Sequence, residues 1–398
     1  MKIYRFILIA LSLYANAIQS QDTLRNTKGS EYLFTFKKKI EHLPVEDQCQ
    51  TGTCWSFSAL SFFESEVKRL GKKPVNLSEM YVVRKAYPDK AQQFLRMYGK
   101  FNFGPGGAFH DIPYVIKKYG IVPQEIYSGL NYGTEKHIHS ELDQVLEAMV
   151  KALASNPNHH LSDAWRPAIE AVLDAYLGKD PVDFTYNGKQ YTPKSFAKEL
   201  GLNMDDYVSL TSFTHHPFYR QMIIEVPDNW LMGTSYNLPL DELIQTMKHA
   251  ILNGYTFAWA ADVSEKGFSF KNGLAIVPED ESTIQVKGRD SHLFNNAGAE
   301  KKSNAFLQPV KEKTITQEMR QKAFDNLTTT DDHGMHVVGL ATDQNGKEYF
   351  FVKNSWGESN DLKGYFFASE AYVRYKTINI FLHKDAIPKE IRKKLNIQ

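Results

Sequence analysis

The chain of 398 residues carries 47 lysines and arginines against 46 aspartates and glutamates, a formal net charge of +1. This balance argues against a nucleic-acid-binding surface over the whole chain, and the short basic clusters at residues 37–39 and 389–394 are typical of solvated faces. A hydrophobic content of 42% is enough to bury a large core, and the length predicts about two domains.

The first 20 residues have the pattern of an export signal. Lys2 and Arg5 form a basic start, residues 6–14 are mostly apolar, and Ala-Asn-Ala ends the segment with a cleavage site. The apolar run is short for a transmembrane helix, and no cysteine follows the cleavage site to carry a lipid anchor. We expect a Sec-type signal peptide and a periplasmic or secreted mature chain that starts near Ile18 or Gln21. A core strand and a single membrane anchor are the alternatives.

Residues 48–57, Gln-Cys-Gln-Thr-Gly-Thr-Cys-Trp-Ser-Phe, place a cysteine where a turn leads into a helix. From Cys54 the chain contains neither glycine nor proline until Gly71, which predicts a helix closed by a glycine C-cap. Unpaired N–H groups in the first helical turn favour negative charge, so we expect a lowered pKa for the Cys54 thiol. The Gln48 amide is spaced to donate to an oxyanion together with the Cys54 N–H.

Cys49 and Cys54 are the only two cysteines of the chain. A helix that starts between them would hold their sulfurs apart, so we predict that both are free. Reversible oxidation between the two is an alternative, and a small buried apolar residue is the alternative reading of Cys54.

The middle of the chain alternates predicted helices and strands. Two amphipathic helices are indicated within residues 140–178 by apolar side chains at helical spacing: Leu142, Val145, Leu146, Met149, Val150 and Leu153, then Trp165, Ile169, Val172, Leu173 and Leu177. Further on, the sequence predicts strands within 207–227, a helix at 238–252, a buried strand at 255–263, a long polar loop at 279–304 and a helix at 316–326.

Two strand-like runs near the C-terminal end carry a histidine and an asparagine. His336 leads into an apolar run, Asn354 ends a second one, and an Asn-Gly turn at residues 345–346 predicts that the two strands form a hairpin. A cysteine nucleophile needs an imidazole to hold its proton and a third group to orient that imidazole. We therefore predict that Asn354 accepts from one ring nitrogen of His336 while Cys54 pairs with the other.

A metal hydrolase is a competing interpretation, because His333 and His336 follow two aspartates. This spacing lacks the glutamate of H-E-x-x-H, and Gly334 interrupts any helix that would turn both rings to one side. We expect neither a metal nor an organic cofactor, and we expect the pairs at 159–160 and 215–216 to lie on the surface. A non-catalytic binding protein on the same scaffold is the third alternative.

Taken in order, these motifs resemble those of the papain-like cysteine peptidases, and within them the bleomycin hydrolase/aminopeptidase C branch. The resemblance covers the chain from about residue 34 onward and is carried by Gln48, residues 52–55, 76–79 (Asn-Leu-Ser-Glu), 104–107 (Gly-Pro-Gly-Gly), 336–340 and 354–357. His336 and Asn354 follow Cys54 by about twice the roughly 130–150 residues of simple papain-type enzymes, which indicates an inserted helical domain and selects this branch.

The resemblance implies an α+β fold of two lobes, with a β-barrel-like second lobe and a helical insertion. After a signal peptide at 1–20, residues 21–135 would form the helical lobe with the nucleophile, 136–205 the insertion, and 206–398 the β-rich lobe with the catalytic histidine and asparagine.

The resemblance also implies a reaction, the hydrolysis of peptides through a thioester acyl-enzyme. In it Cys54 attacks, His336 moves the proton, Asn354 orients His336, and Gln48 stabilises the oxyanion. On the substrate side, Gly106 and Gly107 would bind the peptide backbone, and Trp356 would cover the hydrogen bond between His336 and Asn354.

Members of this branch are implied to be aminopeptidases, in which a C-terminal arm places its carboxylate against the free amine of the substrate. The tail at residues 386–398 is similar to the start of that arm, but it carries several cations, which repel an ammonium group. We therefore expect relaxed specificity, with a papain-like endopeptidase as the alternative. The resemblance also suggests a homo-oligomer, typically a hexamer, with peptide substrates, no nucleic acid and no membrane anchor.

Overall fold

The computed structural model describes residues 23–158, 160–287 and 300–398, so the predicted signal peptide and His159 lie outside the described residues. The helices are α1 (Cys54–Arg69), α2 (Glu79–Arg96), α3 (Asp111–Tyr119), α4 (Ser140–Ala154), α5 (Trp165–Leu177), α6 (Pro193–Leu200), α7 (Leu240–Leu252), α8 (Gln317–Asp325), α9 (Glu370–Lys376) and α10 (Lys389–Lys394). Short 3₁₀ turns lie at Met204–Asp206, Glu281–Thr283, Asn304–Phe306 and Lys384–Ala386. No helix of the described ranges combines the length and the apolar character needed to cross a membrane.

The strands are β1 (Thr23–Leu24), β2 (Phe34–Lys39), β3 (Phe184–Tyr186), β4 (Lys189–Tyr191), β5 (Tyr207–Thr211), β6 (Gln221–Ile223), β7 (Thr234–Asn237), β8 (Phe257–Ala261), β9 (Phe268–Ser269), β10 (Leu274–Ala275), β11 (Gln285–Lys287), β12 (Glu300–Lys302), β13 (His333–Thr342), β14 (Glu348–Lys353), β15 (Tyr365–Ser369) and β16 (Thr377–His383). Twelve of them form one sheet, in the order β6-β7-β5-β16-β8-β13-β14-β15-β10-β9, with β2 paired to β13 and β1 to β2. No pairing between described strands closes this sheet into the expected barrel.

Strand β13 is the branch point of the sheet. One edge pairs first with β8 and then with β2, while the other edge pairs with β14. Nine of its ten residues are buried, because α1 packs on the strand from one side and α7 from the other. Although β2 falls in the range predicted as the helical lobe, it lies in this sheet.

The core divides into two main clusters, which confirms the two-lobed α+β fold. One cluster gathers the apolar faces of α1 to α6, and the other fills the space between the sheet and helices α7, α9 and α10. Helix α1 belongs to the first cluster and packs on β13, so its N-terminus lies where the lobes meet.

The local predictions hold outside the range 279–304. There the predicted loop contains the paired strands β11 and β12, and residues 288–299 lie outside the described residues. Helix α1 begins at Cys54, Gly71 has a φ of +74°, and β13 and β14 form the predicted hairpin. Helices α4 and α5 bury Leu142, Leu146 and Val150, and Ile169, Leu173 and Leu177, respectively. The strands and helices predicted between residues 207 and 326 appear as β5, β6, α7, β8 and α8. Both cysteines are free, as predicted.

Candidate active site

Cys54 is the first residue of α1 and is partly exposed. Its sulfur accepts a hydrogen bond from the backbone N–H of Gly334, with 3.4 Å between Sγ and N. Cys54 lines a cavity together with Trp55, Gly107, His333 and Gly334, and we call it the catalytic cavity. Helix α1 and strand β13 can approach this closely because residue 334 is a glycine, where a Cβ would lie 2.8 Å from Ser58 Oγ.

The predicted pairing of His336 with Asn354 is wrong, because a β-bulge shifts the register of the hairpin. Gly339 lies opposite Phe351, and the same register continued along β13 would place His336 opposite Asn354. The shift between Val337 and Gly339 instead puts His336 opposite Lys353.

His333 takes the position expected of His336. Its Nε2 lies 2.6 Å from Oδ1 of Asn354, and both side chains are buried. Asn354 Oδ1 also accepts from the N–H of Ser355 at 2.8 Å, which fixes this atom as the oxygen of the amide. Nε2 of His333 is therefore the donor, and in the neutral ring Nδ1 is the basic nitrogen. This tautomer is the one that a thiol proton acceptor requires.

His336 lies on the opposite face of β13, because residues three apart on a strand point to opposite sides. Its Nδ1 is 3.0 Å from Oγ of Ser61 on α1, and Lys353 Nζ donates to the same oxygen at 2.7 Å. Burial, followed by the charges of Lys353 and His42, holds the pKa of His336 well below its usual range. His336 is therefore a neutral member of a buried polar network, and it cannot share a metal ion with His333.

Trp356 covers the site from behind. Its ring is centred 4.6 Å from the His333 ring at 30° to it, and only 6% of the residue is exposed. It packs between His333 and the aromatic rings of Phe268 and Phe270. Trp356 therefore covers the hydrogen bond between His333 and Asn354 instead of the predicted bond between His336 and Asn354. It does not belong to the lining of the catalytic cavity.

Gln48 is fully buried, and it ties the nucleophile segment to the asparagine segment. In its side chain, Oε1 accepts from Ser355 Oγ at 2.6 Å and Nε2 donates to the Thr51 carbonyl at 2.8 Å. Its backbone N–H donates to the Ser355 carbonyl at 2.8 Å. One N–H of the side-chain amide is thus in use, and the second makes no hydrogen bond with the residues that the structure describes. Gln48 is not part of the cavity lining in the described chain.

We predict that Gln48→Ala lowers kcat by about 10²–10³ with little change in KM, because an oxyanion donor acts mainly in the transition state. Steady-state kinetics on one peptide would measure both constants. Ser355→Ala is the matched control, since it removes the contact that holds the Gln48 oxygen and leaves the donor in place. An equal loss of kcat in both variants would mean that Gln48 serves only to join the two segments.

The glycines at 106 and 107 allow two close approaches. A Cβ on Gly107 would come within 2.8 Å of the Trp55 ring and 2.7 Å of Asp111 Oδ2, and one on Gly106 would overlap the Asp228 carboxylate. The indole of Trp55 donates to the Pro105 carbonyl at 3.0 Å and so holds this segment at the cavity. Gly107 lines the cavity, whereas Gly106 lies beside it.

The expected lowering of the Cys54 pKa is not found. Burial raises the pKa of the thiol to about 12, the Gly334 N–H opposes that rise, and the negative charges of Asp331 and Asp228 add to it. The rise in the thiol pKa caused by desolvation and two carboxylates is larger than the lowering expected from the helix N-terminus. The resting thiol is therefore protonated at neutral pH, and its activation depends on transfer of the proton to a base.

The described residues include one cluster with metal-ligand chemistry, His215, His216 and Glu225. The Nε2 atoms of the two histidines lie 3.2 and 3.5 Å from the Glu225 carboxylate. Gln321 donates to Nδ1 of His215, and its oxygen accepts from the Thr214 N–H, which fixes its orientation. His215 therefore carries its proton on Nε2, where it bonds Glu225, and the cluster fits a hydrogen-bonded contact rather than a metal site.

The chain is similar to known cysteine peptidases and aminopeptidases. The model of the Peptidase C1-like family matches residues 8–279 and 310–398. Aminopeptidase C of Listeria innocua is 25% identical over 395 residues, which cover 89% of this chain and 83% of the relative. Aminopeptidase W of Lactobacillus delbrueckii is 23% identical, with 90% and 84% covered.

A solved structure shows the same fold. The crystal structure of PepW from Lactobacillus rhamnosis superposes with a TM-score of 0.68 at 21% sequence identity, covering 91% of this chain and 84% of that one. At this identity the likeness concerns the fold alone. The family model, which matches most of the sequence, establishes the family: the chain belongs to the Peptidase C1-like family of cysteine peptidases.

Proposed function

We propose that this protein is a cysteine aminopeptidase in which Cys54, His333 and Asn354 form the catalytic triad. The observation that carries this proposal is the hydrogen bond between His333 Nε2 and Asn354 Oδ1, on a histidine that shares the catalytic cavity with Cys54. The aminopeptidase part rests on the relatives, since Aminopeptidase C and Aminopeptidase W are the names of similar chains of which the match covers 83% and 84%.

The reaction is an acyl transfer in two steps. Nδ1 of His333 takes the Cys54 proton as the sulfur attacks the scissile carbonyl carbon, and the oxyanion is stabilised by the Cys54 N–H and the second N–H of Gln48. The intermediate then collapses to a thioester as the C–N bond breaks, and His333 gives its proton to the departing amine. Water attacks the thioester with His333 again as the base, and the acid is released as the thiol re-forms.

Product analysis tests the proposal. We expect mass spectrometry to show that a peptide with a free α-amine loses residues from its N-terminal end, and that this loss stops when Cys54 is alkylated by iodoacetamide. Internal cleavage at equal rates in the free and the N-acetylated peptide would favour the endopeptidase alternative. Activity lost to a chelator instead of to alkylation would contradict the thiol mechanism.

We also propose that the chain is exported and that it forms a homo-oligomer. Export is supported by the basic and apolar pattern of residues 1–20, and the oligomer by the resemblance to a family that is typically hexameric. Sequencing the N-terminus of the protein from cell fractions would test the first point, with a start at Ile18 or Gln21 expected. Light scattering on the purified protein would test the second.

A further inference from the structure

The catalytic cavity is rich in carboxylates. Its lining includes Asp228, Asp331 and Asp332, and the groups in it that can carry positive charge are two histidines, His110 and His333. No lysine or arginine from the described ranges belongs to this lining. A peptidase cavity of this charge is suited to a cationic part of its substrate.

Asp332 is engaged in holding the fold. Its carboxylate accepts from the N–H groups of Val263 and Ser264 at 3.3 and 3.1 Å, and from the hydroxyl of Thr330 at 2.6 Å. This aspartate therefore fixes the loop that enters β13, and its carboxylate also lies against that of Asp262.

Asp331 has a different environment. It is partly buried, yet its carboxylate makes neither a hydrogen bond nor an ion pair with any residue that the structure describes. Burial, followed by the charges of Asp228 and Asp332, raises the pKa of Asp331 well above the usual range. A half-buried carboxylate that faces other carboxylates is unfavourable by itself, which indicates that a cationic group completes the site.

Asp228 lies along the glycine segment. Asn102 donates to its Oδ1 at 3.1 Å, and its Oδ2 lies so close to Gly106 that a Cβ there would come within 1.9 Å of it. Lys90 lies behind the same segment, donating to the carbonyls of Gly104 and Gly106. Asp228 is thus held on the side of the cavity where the glycine segment can pair with an extended substrate.

We propose that Asp331 and Asp228 bind the α-ammonium group of the peptide substrate and so direct cleavage to its N-terminal end. The inference rests on the proposed aminopeptidase function. The α-nitrogen of a residue lies about 2.5 Å from its own carbonyl carbon, so the group that binds it must share the cavity with the nucleophile. Asp331 and Asp228 do so, and their charge reaches the Cys54 sulfur.

The C-terminal residues lie elsewhere. Ile391 and Leu395 are buried in the core cluster that includes α7, and Lys394 pairs with Glu242 on that helix. None of residues 389–398 lines the catalytic cavity. The carboxylates among the lining residues are those of Asp228, Asp331 and Asp332.

Binding of the ammonium group would also activate the nucleophile. The charges of Asp331 and Asp228 raise the pKa of Cys54, so a cation that neutralises them favours the thiolate. A substrate with a free amine would then lower the pKa of the thiol that attacks it, whereas a peptide with a blocked amine would leave the thiol protonated.

The test compares Asp331→Asn and Asp228→Asn with the wild-type protein and with Asp163→Asn, which replaces an exposed aspartate outside the cavity. For each protein, kcat/KM is measured on one peptide with a free and with an acetylated N-terminus. The rate of Cys54 alkylation by iodoacetamide at pH 7 is measured without substrate.

We expect Asp331→Asn to lower kcat/KM for the free peptide by about 10- to 100-fold, the scale of a hydrogen bond to a charged group. On the acetylated peptide it should cause no loss and can raise the rate, because removal of the Asp331 charge favours the Cys54 thiolate. Alkylation should become faster, because removal of a negative charge favours the thiolate. Asp228→Asn should act in the same direction, and Asp163→Asn should change nothing.

Two results would overturn the inference while the proposed function stands: an unchanged preference for the free peptide in both variants, or equal losses on both peptides together with slower alkylation, which would indicate structural damage. A wild-type protein that cleaves neither peptide would refute the proposed function, and the inference with it.

Discussion

Replacing Cys54 by alanine or serine is expected to abolish peptide turnover, with a loss of kcat of about 10⁶-fold, the scale seen when a triad nucleophile is removed. The physical reason is that Cys54 combines the first position of α1, a place in the catalytic cavity and a histidine of the correct tautomer in the same cavity. The rate would be measured with a fluorogenic peptide, and the near-ultraviolet circular dichroism and the Tm should match the wild-type values.

Cys49→Ser is the matched control for this variant. Cys49 has a φ of +52°, its N–H is bonded to the Asp47 carboxylate at 2.8 Å, and its sulfur lies 3.5 Å from the Asp47 carbonyl. It is not part of the catalytic cavity lining. The Cys49→Ser enzyme should therefore keep most of its activity. An inactive Cys49→Ser enzyme beside an active Cys54→Ser enzyme would reverse the assignment of the two thiols.

His333→Ala is expected to lower kcat by about 10⁴-fold or more, because the thiol proton then has no acceptor and the resting thiol is protonated at neutral pH. The rate of Cys54 alkylation at pH 7 should fall as well. This second readout reports on the nucleophile itself and does not depend on substrate binding.

His336→Ala should behave differently. This variant removes a buried ring that contacts Ser61 and lies across from Lys353, so we expect a lower Tm and a kcat within about tenfold of wild type at a temperature where the protein is folded. His336→Asn, which keeps a polar group, should recover part of the stability. A folded His336→Ala protein with a loss as large as that of His333→Ala would contradict the assignment.

The sequence determines much of the site, because short-range rules govern its parts. The start of α1 at Cys54 follows from a turn that leads into a helix-forming run, and the C-cap at Gly71 follows from the need for a positive φ. The β13–β14 hairpin follows from its Asn-Gly turn, and Asn354 follows directly after β14 as predicted. The amphipathic helices α4 and α5 follow from periodicity in the same way.

The choice between His333 and His336 was decided by tertiary structure. Both residues precede apolar positions in one strand, and an unbroken register would place His336 beside Asn354. A single bulge between Val337 and Gly339 changes which histidine contacts Asn354. Gly334 was the available signal, since a residue without a side chain next to His333 is what allows the strand to approach α1.

The electrostatics of the site were also beyond the reach of the sequence. The helix start at Cys54 predicted a lowered thiol pKa, but burial and the charges of Asp331 and Asp228 reverse its direction. Asp228 follows β6, far from Cys54 along the chain, and only the packing of that segment against Gly106 brings its carboxylate to the cavity. The residue types and local elements are thus fixed by short-range preferences, whereas the pKa of the nucleophile and the identity of its base depend on strand register and desolvation, which exist only once the lobes have packed together.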